Sequence, residues 1–163
     1  MAIIDIGSAA IDRTHTTANV LRTYVPKENP ANESGKITTV EIWANANMSG
    51  VEVATFYVES GNNLSTRDYE TLDNGNGSGV VLAGSKQTFA VDLDVEVGDF
   101  LGIKYMSGAM DRDNVGEGGV GYFWSDTDQI PCENVEFTDA AAREYSLYGT
   151  ETEANAIFFG MNF

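Results

Sequence analysis

The strongest constraint on the fold is a run of strict alternation. Phe89, Val91, Leu93, Val95 and Val97 are separated by Ala90, Asp92, Asp94 and Glu96. A period of two puts one set of side chains on each face of an extended chain, so this segment reads as a half-buried β-strand. Nine alternating residues are long for one strand, and a bend or turn is expected near Asp94. Gly98-Asp99 then punctuates, and Leu101, Ile103 and Tyr105 resume the pattern. Near the C-terminus Ile157, Phe159, Met161 and Phe163 alternate in the same way, which predicts a strand tied into a sheet.

Composition agrees. Val, Ile and Thr make 37 of the 163 residues, against seven Leu. β-Branched side chains keep their preferred rotamers on a pleated surface, which favours strands over helices. The 17 Gly residues and many Asn and Asp fall between the apolar runs, where turns need them. Further strands are expected at Ile3–Ile6 and Leu21–Val25, pairing with each other, and at Lys36–Ala44, Val51–Glu59, Leu64–Leu72, Gly119–Trp124 and Arg143–Tyr148. Val51–Val58 and Phe158–Phe163 are apolar on both faces, which predicts burial on both sides or an interface for self-association or docking. The one helical signal is Thr138 to Glu144, where Thr138 resembles a cap ahead of three alanines. About nine or ten short strands separated by turns predict a single all-β domain over residues 1–163, a sandwich or a barrel.

Charge narrows the partners. The chain carries 25 acidic and 9 basic residues, a formal net charge of −16. Phosphate backbones require clustered Lys and Arg, so nucleic acid is not an expected partner. No apolar run is long enough for a membrane-spanning helix, and the N-terminus lacks the basic and apolar regions of a secretory signal. The acids are concentrated in the second half. Asp111 to Asp139 holds eight of them against the single Arg112, and residues 106–139 read as an acidic, loop-rich insertion.

Catalytic chemistry finds little support. The one histidine, His15, lies in a polar stretch, and no Gly-x-Ser-x-Gly elbow occurs. The lone Cys132 cannot form an intramolecular disulfide, and neighbouring acids would raise its thiol pKa. The expectation is that the protein is not an enzyme. No resident cofactor is required; calcium is the cation that carboxylate-rich loops would take. Asp111 and Asp113 stand at the first and third positions of a calcium-type loop, with Gly116 at the sixth and Glu117 able to complete a shell. Val115 and Tyr122 break that pattern at the fifth and twelfth positions. The competing expectation is a solvated acidic face. Trp43, on one strand face with Thr39 and Glu41, is the candidate platform for stacking a carbohydrate ring. Trp124, sharing a face with Val120 and Tyr122, reads as core.

Two stretches carry a resemblance. Gly35-Lys36-Ile37-Thr38-Thr39-Val40-Glu41-Ile42-Trp43 leads into Gly50-Val51-Glu52-Val53-Ala54-Thr55-Phe56-Tyr57-Val58, and later comes Val95-Glu96-Val97-Gly98-Asp99-Phe100-Leu101-Gly102-Ile103. The combination is similar to jelly-roll sandwiches of phage virion proteins and of carbohydrate-binding modules, and the resemblance implies an antiparallel β-sandwich of jelly-roll type. The first similarity implies a structural protein of a virus particle, a capsid decoration or other exterior component, made in the host cytoplasm and binding the shell by protein–protein contacts. The second implies an extracellular carbohydrate-binding or adhesive module, with calcium assisting.

Overall fold

A computed structural model describes residues 3–114, 120–141 and 143–151, and all regular structure within them is β. The strands are β1 (Asp5–Gly7), β2 (His15–Thr17), β3 (Thr23–Pro26), β4 (Gly35–Ser49), β5 (Glu52–Ser60), β6 (Asn63–Thr71), β7 (Lys86–Val95), β8 (Phe100–Lys104), β9 (Ser107–Asp113), β10 (Tyr122–Ser125), β11 (Val135–Glu136), β12 (Thr138–Ala140), β13 (Glu144–Tyr145) and β14 (Leu147–Thr150). The expected count was lower because the shortest of these carry no periodicity of their own. No helix among the described residues is long and apolar enough to cross a membrane. The C-terminal alternation at Ile157–Phe163 lies outside the described residues.

Two antiparallel sheets form the sandwich. One runs β1-β14-β4-β9-β13, with β2 added to β9 and β7 to β4; the other runs β11-β6-β5-β8-β3-β10-β12. Both curl, giving a half-barrel and a nearly closed barrel. The chain crosses between the two sheets eight times along the described strands. The 15-residue β4 reaches so many partners because its register shifts at Ile37/Thr39 and again beyond Ala44, and such irregularities bend a strand. It meets β7 through Gly35–Trp43, β14 through Thr39–Ile42 and β9 through its second half.

The β7 alternation is realised as read: Phe89, Val91, Leu93 and Val95 are buried and Ala90, Asp92 and Asp94 exposed. The strand stops at Val95, one residue beyond the expected bend. There the Asp99 carboxylate accepts the Glu96 N–H at 2.9 Å, and Gly98 takes φ 93° in the turn. Val97 is thereby turned out to solvent.

Strand β5 explains its own two-faced apolarity. Val51, just ahead of it, and Val53 join the core between the sheets, whereas Ala54 and Phe56 face outward into a second apolar cluster with Val25, Leu64, Phe123, Ile130 and Phe137. Gly102 on β8 permits this, because a Cβ there would meet the Phe56 ring at 2.5 Å. The cover comes from residues 126–137, pinned by two threonines. Thr23 Oγ1 donates to the Thr127 carbonyl at 2.9 Å and accepts the Gln129 N–H at 2.8 Å; Thr66 Oγ1 accepts the Cys132 N–H at 3.0 Å. The apolar surplus of β5 is therefore covered by the chain itself.

Three expectations are corrected. Residues 106–139 hold more strand than expected, with β9, β10, β11 and the start of β12, and residues 126–137 roof the second cluster. Thr138–Ala140 is a strand on the edge of β10, not a helix start; a seven-residue helix is marginal alone, and edge pairing outweighs alanine's small preference. β1 and β3 do not pair. β1 lies against β14, and β3 lies between β8 and β10.

Candidate functional site

Strand β9 organises the region, because its alternation sorts Asp111, Arg112 and Asp113 onto two faces. Asp111 and Asp113 both meet Arg13 from β9, Asp113 at the guanidinium and Asp111 at the backbone N–H. Arg13, its side chain only 4% exposed, donates from Nη1 to Asp113 Oδ2 at 3.2 Å and to Glu144 Oε1 at 2.9 Å. Its Nε donates to Ser146 Oγ at 2.8 Å, Nη2 to the Ala9 carbonyl at 2.8 Å, and its backbone N–H to Asp111 Oδ2 at 2.9 Å. Asp113 Oδ1 accepts both the N–H and the hydroxyl of Thr14. The Thr14 N–H, with Thr14 Oγ1 and Arg13 adding to it, holds the Asp113 carboxyl below the usual range.

Asp111 is the exception within this centre. It is fully buried, and its Oδ1 has no hydrogen-bond partner. Burial first, and then the neighbouring Asp12, push its carboxyl upward. A calcium ion here would have to displace Arg13 from Asp113. Glu117 lies outside the described residues, and among the described ones no group of three His, Cys, Asp or Glu is arranged around a metal position.

The remaining sequence candidates are dispersed. Trp43 is half-buried on β4, opposite Lys86 of β7, and its backbone N–H reaches the Ser146 carbonyl at 3.2 Å. Trp124 is also half-buried rather than core; it packs on the inner cluster with the Arg22 guanidinium 4.6 Å from its ring centre. His15 is exposed on β2, with Nδ1 2.9 Å from Thr14 Oγ1. Cys132 is half-buried under the cover, and burial pushes its thiol up.

On the opposite face of β9 lies a group that sequence reasoning counted only as a stray cation. Arg112 sits between His15 of β2 and Tyr145 of β13 in one cross-strand row. Tyr145 belongs to a buried cluster, with its ring 5.4 Å from Tyr122 and 5.7 Å from Tyr24, and Tyr105 beyond. The Arg143 guanidinium lies 5.4 Å from the centre of the Tyr122 ring. Arg112 Nη1 donates to Asn114 Oδ1, while its Nε and the Tyr145 hydroxyl are buried without a hydrogen-bond acceptor. Burial and the Arg143 charge together pull Arg112 below its ordinary pKa. Each of the other seven basic residues, Arg13, Arg22, Lys27, Lys36, Arg67, Lys86 and Lys104, has a carboxylate partner. Among the described residues Arg112 and Arg143 have none.

A third feature lies at the end of the sandwich where β3 begins and β8 ends. Leu21 holds φ 64°, a left-handed conformation that bulky residues rarely adopt, fixed by its N–H to the Tyr105 carbonyl at 2.9 Å. This bonds the Leu21 backbone to the residue that precedes Met106. Leu21 and Met106 are 51% and 55% exposed, and Val20, next to Leu21 in the chain, is 37% exposed.

No protein-family model and no curated protein matches the chain.

Proposed function

We propose that the protein is a non-enzymatic structural component of a virus particle, a capsid decoration or other exterior element of the phage type, and that it docks onto the shell through protein contacts. The observation that supports this most is the apolar end formed by Val20, Leu21 and Met106. A strained backbone that holds a leucine outward costs about 1–3 kcal/mol and is characteristic of functional positions. Apolar side chains grouped on an acidic surface are suited to burial against a partner. The sandwich behind them is stapled by Arg13 and closed over its second cluster, as a rigid exterior module requires.

A capsid gene in the genomic neighbourhood, followed by co-sedimentation with shells assembled from its product, tests the reading. The wild-type chain pellets with the shells. Leu21→Asn, which suits the left-handed backbone, and Met106→Glu remain folded and stay in the supernatant. A wild-type chain that is strictly monomeric and never pellets overturns the proposal. A second reading, the carbohydrate-binding module, rests on the partly exposed Trp43 alone. Binding of an oligosaccharide that Trp43→Ala abolishes would favour it.

A further inference from the structure

We propose that Arg112 and Arg143, together with the Tyr145 hydroxyl, form a binding site for an oxyanion, either a carboxylate or a phosphate group. The first argument is selectivity of pairing. The chain has 25 acidic residues, and seven of its nine cations have carboxylate partners, yet the two cations that stand together have none among the described residues. Two guanidinium groups side by side repel, and partial burial strengthens that repulsion; an anion between them reverses its sign. The second argument is the unsatisfied inventory. Arg112 Nε is buried and unpartnered, and the buried Tyr145 O–H, with the Arg143 guanidinium as its polar neighbour, has no acceptor; an orphaned donor inside a protein marks the place of a missing acceptor. Tyr145 is 1% exposed and Arg112 is its direct cross-strand neighbour, so both orphans sit in one row of the sheet.

The geometry also fits the ligand type. Guanidinium forks match the two oxygens of a carboxylate or phosphate face, and the tyrosine cluster supplies a floor of low polarity where charge-assisted bonds are strong. His15, on the other flank of Arg112, closes the row with a third nitrogen-bearing side chain. A net charge of −16 disfavours anions over the surface in general, which leaves this pair of arginines as a local exception.

Thermal melting in inorganic phosphate, in acetate and in chloride, matched in ionic strength, tests the site and separates its two ligand chemistries. Phosphate or acetate at roughly 50 mM raises Tm by about 2 °C or more over chloride, because only the folded chain binds. The anion with the larger shift identifies the class. Arg143→Gln removes the shift, and Lys36→Gln, the same charge change elsewhere, keeps it. A direct readout in the unaltered chain is the Arg112 Nε–H resonance, which moves on titration with the effective anion. Equal melting in all three salts, a shift retained in Arg143→Gln, or an unmoved Nε–H resonance overturns the proposal.

Discussion

The two faces of β9 carry two arginine centres of opposite character. On one, Arg13 is almost fully enclosed and every arm meets an acceptor, drawn from Ala9, Ser146, Asp113 and Glu144. On the other, Arg112 is partly enclosed beside a second arginine and leaves Nε unmet. One strand supplies both environments because its pleat sends odd and even residues to opposite sides. Burial of an arginine therefore does not define its role. A satisfied guanidinium is a staple, and an unsatisfied pair is an opening for chemistry from outside.

Breaking the staple should have the largest effect. Arg13→Met leaves Asp113 and Glu144 without their cation and should cost about 3 kcal/mol in urea unfolding, the lower end for severed buried pairs, since those carboxylates stay 34% and 32% exposed. Asp113→Asn should cost about 1 kcal/mol at pH 7. The Asp113 carboxyl is depressed in the folded chain, so its stabilisation is present above the unfolded-state value near 3.9 and lost as pH falls through the folded one. The gap between wild type and Asp113→Asn should therefore close in acid.

Asp111→Asn should behave oppositely, although it sits two residues away on the same face. Its carboxyl is raised, so wild-type stability is highest while it is protonated and declines as pH rises from the unfolded-state value through the folded one. Asn imitates the protonated form, so the variant should be more stable at pH 7 by up to about 1 kcal/mol and equal to wild type at low pH. Smallest of all, Arg112→Gln should change stability by no more than about 0.5 kcal/mol in chloride buffer, because lost packing is offset by relief of the Arg143 repulsion. A loss near that of Arg13→Met would make the two centres alike and end the contrast.

The sequence made the sandwich legible where side chains alternate over a whole strand, as along β7 and β8. It failed where a strand exists only through its partner. β11 and β13 are two residues long, too short to show a period, and β12 carried a local helical signal that pairing with β10 overrode. The two-faced apolarity of β5 was readable; its cover was not, because Ile130 and Phe137 lie in a stretch whose acids dominated the reading. Asp111 and Asp113 were singled out as calcium ligands, and what the structure places against both is Arg13. It lies about a hundred residues away in the chain, a separation that no local pattern reports. The anion site was hidden for the same reason, although Asp-Arg-Asp on a strand already implies that the arginine points away from the acids.

The pairing of β1 with β14, Asp5 against Thr150, has a consequence for how the molecule is born. At translation speeds of about 5–20 residues per second, the first strand waits roughly seven to thirty seconds for its neighbour to be made. Arg13 waits almost as long for Glu144 and Ser146. During synthesis the nascent chain can close β4, β5, β6 and β7 upon one another, but its opening segment stays unsealed until the last described strand arrives. Ribosome-bound chains halted before β13 should be clipped by protease within residues 3–20, and chains released past Thr150 should resist it.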